Sequence, residues 1–176
     1  MNRYGLKLSK IASALAKEYF TDYKWFITLT YKHDVRTVER VRRDLKTLAK
    51  HLRERAYGKH SAKYFKSSNH IMMVGGIERH ADDRIHIHLV LTKPPAEAKK
   101  AELYENLSAN TDEFLIDYWE QVKNNSYQNK PEDLMDSSDQ RSSLEYCLKY
   151  TDKHNANFFI MHWDSPKFVS PIECKR

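Results

Sequence analysis

The stretch RIHIHLVLT, residues 84–92, constrains the fold more than any other. In an extended strand Ile85, Ile87, Leu89 and Leu91 share one face, and His86 and His88 share the other. Upstream, IMMVGGIERH (71–80) is also a strand pattern, and Ala81-Asp82-Asp83 between the two is short enough for a hairpin turn. Counting outward from that turn pairs His80 with Arg84, Glu78 with His86, and Gly76 with His88. Glu78 then falls on the histidine face, and Gly76 leaves room opposite His88. A slip of one residue would send Glu78 to the core face. Pro94 and Pro95 end the second strand.

The other segments arrange themselves around this hairpin. LKLSKIASALAKEYF (6–20) has helical spacing, and WFITLTY (25–31) is rich in β-branched and aromatic residues and predicts a strand. VRTVERVRRDLKTLAKHLRER (35–55) predicts an amphipathic helix with Val38, Val41, Leu45, Leu48 and Leu52 as its apolar stripe. Its many basic residues read either as a solvated face or as contacts to a polyanion. Residues 96–123 look helical, in two pieces broken near Ser108-Ala109-Asn110. The polar segment 124–143 reads as a long connection with room for a short strand. A helix follows, entered through a Ser142–Glu145 capping box. FFIMHW (158–163) fits either a last strand or the end of that helical region. The order helix–strand–helix–strand–strand–helix–helix predicts an α+β domain, an antiparallel sheet with helices mostly on one face.

Composition narrows the function classes. A chain of 176 residues with 40% hydrophobic and 12% aromatic residues is expected to fold as a single domain, 1–176. The formal net charge of +6 fits a polyanionic partner. The two cysteines, Cys147 and Cys174, make neither a disulfide scaffold nor a zinc ribbon, and they fit a reducing cytoplasm. No apolar run approaches the roughly 20 residues that span a bilayer, so no membrane partner is expected. MNRYGLKLSK carries no signal-peptide core. None of the four glycines opens a GxxxxGK[ST] loop, which excludes a P-loop ATPase or helicase domain in this chain.

Two groups of residues point to chemistry. His86 and His88 are either a pair on a solvated face or two ligands of one cation. Glu78 as third donor, with His80 as the alternative on the same face, makes a set suited to Mn²⁺ or Mg²⁺, with zinc also chemically possible. The second group is EYCLKYTDK (145–153). At about 100° per residue, Leu144, Cys147, Leu148 and Thr151 fall on one side of a helix. Tyr146, Lys149, Tyr150 and Lys153 fall on the other, away from the apolar stripe. A phenol, with its ordinary pKa of about 10, becomes a nucleophile when a lysine or a divalent cation stabilises its anion. Attack on a DNA phosphodiester would keep the bond energy in a phosphotyrosine ester, so resealing needs no ATP. Two tyrosines one turn apart could act in succession. Half-buried tyrosines packed beside lysines are the plainer reading of the same helix. Arg40, Arg42, Arg43, Lys46 and Arg84 are the candidate DNA-binding cations, and Trp25 and Tyr31 are candidates for stacking on bases or for the core.

FITLTY (26–31), HIHLVL (86–91) and YCLKYTDK (146–153), in that order, resemble the HUH endonuclease superfamily, and within it the rolling-circle replication initiators of small phages and plasmids. The repeated YxxKYxxK pattern is similar to that of the two-tyrosine phage type. The resemblance covers residues 25–155. It implies an RRM-like antiparallel sheet with the histidines on its open face and the tyrosine helix nearby. It implies a metal on His86, His88 and Glu78, and nicking of single-stranded DNA, often at an origin hairpin. It further implies a 5′-phosphotyrosine on Tyr146 or Tyr150 and a free 3′ hydroxyl that primes synthesis. A lone nuclease domain would depend on a host or viral helicase and polymerase, in the cytoplasm of a bacterial or archaeal host. Relaxases carry their tyrosine ahead of the histidines, and insertion-sequence transposases usually have one tyrosine followed by a glutamine, so both rank below the initiators. A non-catalytic RRM-like nucleic-acid module and a zinc hydrolase using bound water are rivals from other classes.

Overall fold

The computed structural model describes residues 23–57, 70–79, 84–92, 117–122, 130–133, 142–147 and 157–162. Five strands form one antiparallel sheet: β1 (Tyr23–Thr30), β2 (Ile71–Arg79), β3 (Ile85–Thr92), β4 (Lys130–Asp133) and β5 (Asn157–His162). Their spatial order is β4-β1-β3-β2-β5. Between β1 and β2 runs the helix α1 (Val38–Tyr57). β1 and β2 are parallel to each other with β3 between them, so β1–α1–β2 is a split crossover. This is an α+β, RRM-like fold. A second short helix, α2, spans 142–147.

The alternation in β1 and β3 decides which side is core. Trp25, Ile27 and Leu29 of β1 and Ile85, Ile87, Leu89 and Leu91 of β3 are all buried. They join Val41, Leu45, Leu48, Ala49, Leu52 and Ala56 of α1 in one apolar cluster. α1 therefore covers the sheet face opposite His86 and His88. It starts at Val38 rather than Val35. Thr37 caps it, its carbonyl accepting from Val41 N at 3.4 Å. Val35 stays outside the helix and packs against the core.

Tyr31 closes β1 by donating to Asp44 Oδ2 of α1 at 3.3 Å, and Arg40 Nε donates to the same oxygen at 2.9 Å. Burial first, and then the Asp44 charge, push the Tyr31 phenol far above its ordinary range. Trp25 and Tyr31 are thus core residues, 1% and 8% exposed, and do not stack on bases. Within the expected helical region 96–123, the described part is a π-helical turn, Tyr118–Val122. Its widened turn accompanies the inward placement of two adjacent aromatics, Tyr118 and Trp119. Trp119 Nε1 donates to Thr30 O at 2.7 Å, tying this turn to the end of β1.

The polar connection does contain a strand. β4 pairs with β1, and its Pro131 is tolerated because β4 is an edge. FFIMHW resolves to a strand: β5 pairs with β2 at the other edge. Gly75 allows that packing. A Cβ there would lie 2.6 Å from His88 O, 2.6 Å from Phe159 Cζ and 2.8 Å from Leu89 Cβ. The helix expected at 6–20 and the turn at 81–83 lie outside the described residues. Among the described residues no helix is long and apolar enough to cross a membrane.

Candidate active site

The β2–β3 register is Gly76↔His88, Ile77↔Ile87, Glu78↔His86, as a three-residue turn requires. Glu78, His86 and His88 therefore share the face away from α1. Across β3, β1 contributes Thr28 opposite His88 and Thr30 opposite His86. Three strands thus meet at His88, which is 8% exposed. Its Nδ1 lies 3.0 Å from Thr28 Oγ1 and its Nε2 lies 3.2 Å from Glu78 Oε2.

α2 stands on this face. Its first residue is Ser142, so that serine sits in the helix rather than ahead of it. Leu144 and Cys147 are buried beneath it, whereas Tyr146 is 40% exposed, the division that the 3.6-residue period predicts. Burial raises the Cys147 thiol far above its ordinary value. Tyr146 lies edge-on to His88, ring centroids 5.0 Å apart, and edge-on to Phe26 at 5.9 Å. Phe26 is parallel to the His88 ring at 6.1 Å. A cleft of about 300 Å³ opens there, lined by Phe26, Thr28, His88, Ser142, Ser143 and Tyr146.

The sheet and α2 thus bring together Glu78, His88 and Tyr146, with His86 on the same face and half-buried. Tyr150, Lys149, Lys153 and the alternative ligand His80 lie outside the described residues. The basic candidates separate. Arg40, Arg42, Arg43 and Lys46 are exposed on α1, across the sheet from the cleft, and Arg40 is engaged by Asp44. Arg84 is exposed immediately before β3, two residues from His86. Phe26, Thr28, Ser142 and Ser143 were not among the sequence candidates. The alternation Trp25–Ile27–Leu29–Tyr31 carried the signal for the first two, because it turns Phe26 and Thr28 toward the histidines.

The donors suit a divalent cation in part. Two donors each about 2.1 Å from one cation and at right angles are roughly 3.0 Å apart. The 3.2 Å between His88 Nε2 and Glu78 Oε2 suits that edge as well as it suits a hydrogen bond. Among the described residues no three His, Cys, Asp or Glu side chains are already gathered about one point. His86 must turn toward the pair to complete a set of three.

The fold and this cleft define a class: an RRM-like α+β domain whose sheet carries a histidine–carboxylate pair beside a helix-borne tyrosine. The family model of the replication-associated protein ORF2 matches residues 24–155, from β1 through α2. The chain belongs to that family of replication-associated proteins, which supports a role in replication initiation. No curated protein and no solved structure gives a significant match.

Proposed function

We propose that this protein is a metal-dependent, site-specific single-stranded DNA endonuclease and strand transferase of the HUH type that initiates rolling-circle replication. The observation that carries this reading is the placement of Tyr146 at 5.0 Å from His88 across a shared cleft, on a helix whose other side is buried. A core tyrosine has no need of such a position, and a water-using hydrolase has no need of a tyrosine there.

His86, His88 and Glu78 hold Mn²⁺ or Mg²⁺ in this reading. The bound ion supplies charge neutralisation at the scissile phosphate. The chain's own part is placement, with ligands on rigid strands and the nucleophile on a packed helix. The Tyr146 oxygen bonds to phosphorus and the phenolic proton passes to solvent. The P–O3′ bond breaks, and the 3′ oxygen takes up a proton. The products are a 5′-phosphotyrosine and a free 3′ hydroxyl, the primer for a host or viral polymerase working with a helicase. Tyr150, one turn on, is the second nucleophile, and Lys149 and Lys153 neutralise the phenolate or the phosphate.

The test is a denaturing gel of the protein incubated with Mn²⁺ and single-stranded oligonucleotides from its own replicon. A slow protein–DNA adduct that disappears in Tyr146→Phe/Tyr150→Phe supports the reading. Cleavage that leaves no adduct, or an adduct that survives the double substitution, overturns it.

A further inference from the structure

The threonine-bearing strand β1 has so far served only as a neighbour of β3. We infer that Thr28 is the positioning residue of this site, fixing the His88 ring so that Nε2 rather than Nδ1 is offered to a divalent cation. The inference rests on the metal-site reading above and assigns one more residue to it.

An imidazole on a strand can present either nitrogen to a ligand, and the partner of the other nitrogen decides which. Here Thr28 stands directly opposite His88 in the β1–β3 register. Its Oγ1 is 3.0 Å from Nδ1. Nε2 is thereby aimed at Glu78, at 3.2 Å. The Phe26 ring, parallel to the imidazole at 6.1 Å, limits rotation about the ring's own axis. A hydroxyl suits the task because it donates and accepts. While Nε2–H donates to Glu78, Nδ1 is the acceptor and the threonine O–H donates to it. When Nε2 gives its lone pair to a cation, the proton moves to Nδ1, and Nδ1–H donates to the threonine oxygen. Neither state leaves a nitrogen of this buried ring without a partner. Valine, nearly the same shape and as well suited to a strand, can do neither.

The readout is Mn²⁺ affinity, measured by calorimetry and by the loss of the free-ion electron spin resonance signal, with no DNA present. Four proteins are compared: unaltered, His88→Ala, Thr28→Val and Thr28→Ser, each checked by circular dichroism for an unchanged fold. Losing a partner that orients a ligating histidine typically weakens metal binding by about 10–100-fold. Thr28→Val should show a loss of that size, and Thr28→Ser, which keeps the hydroxyl, should stay near the unaltered protein. If His88→Ala abolishes binding while Thr28→Val does not change it, the role of Thr28 is overturned and the metal site stands. If Thr28→Ser falls as far as Thr28→Val, the methyl group and not the hydroxyl matters, and the inference again fails. If the unaltered protein binds no Mn²⁺, or His88→Ala binds it equally well, the underlying metal-site reading fails and takes the inference with it.

Discussion

Adding one methyl group at Gly75 tests how rigidly the candidate site is tied to the core. The new Cβ meets His88 O and Phe159 Cζ at 2.6 Å and Leu89 Cβ at 2.8 Å, all inside contact distance. The Phe159 ring can tilt. The His88 carbonyl cannot move freely, because it belongs to the central strand of the sheet. Overpacking of this kind costs about 1–3 kcal/mol, and a backbone obstacle places Gly75→Ala in the upper half of that range. Reduced freedom of the unfolded chain returns about 0.4–1 kcal/mol. The net loss should be near 2 kcal/mol, or a melting temperature lower by roughly 4–8 °C for a chain of this size. Urea denaturation followed by tryptophan fluorescence measures it. Phe159→Leu in the same chain should recover only the ring's share. The pairwise term from the double-mutant cycle should therefore be smaller than the full Gly75→Ala loss. A net loss below about 0.5 kcal/mol, or full recovery with Phe159→Leu, would refute the claim that the His88 backbone is the obstacle.

Two further outcomes follow from buried groups. Below pH 10 both folded and unfolded chains keep the Tyr31 proton. Above it only the unfolded chain loses the proton, because burial and Asp44 raise the folded-state value. Stability should therefore fall as pH rises past 10. Tyr31 contributes about 1.4 kcal/mol of that fall by pH 11, and Tyr31→Phe should flatten the slope of urea midpoints between pH 9 and 11 by that share. Cys147 is buried against the sheet with its thiol held protonated. In a Cys174→Ser background, maleimide should leave the native protein unlabelled and label it quickly in urea; fast native labelling would show that α2 does not pack as described.

The hairpin was legible in the sequence because two local rules agreed. The turn length set the register and the period of two set the faces, so Glu78, His86 and His88 could be placed together before any long-range contact was known. The side assignment of α2 was legible for the same reason, from the spacing of Leu144, Tyr146 and Cys147. What stood beyond reach was the neighbour of β3 on its far side. Thr28 meets His88 through 60 residues of separation, and only the sheet order reveals it. FFIMHW was ambiguous because a short apolar run suits a buried strand or a helix equally, and its pairing with β2 decided it. The basic stripe of α1 showed its amphipathic character but not which side of the sheet the helix would cover.

That last point has a consequence for DNA binding. A helix layer lies about 10 Å from the sheet it covers and is itself about 10 Å thick. Arg42, Arg43 and Lys46 therefore project on the far side of the domain from Tyr146, beyond the screening length of about 8 Å at physiological salt. They cannot hold the phosphate that the tyrosine attacks. Arg84, two residues before His86, stands at the end of the strand that carries the candidate ligands. Arg84→Ala should weaken binding of a short oligonucleotide, one that fills only the cleft, and lower its salt slope by roughly 0.7 for the lost phosphate contact. Arg42→Ala/Arg43→Ala/Lys46→Ala should leave that oligonucleotide's affinity nearly unchanged and weaken only a longer hairpin that wraps the sheet edge. Fluorescence anisotropy over a salt series, with both DNA lengths, separates the two surfaces. If the triple substitution weakens the short oligonucleotide as much as Arg84→Ala does, the DNA does not follow the histidine face, and Tyr146 cannot be its nucleophile.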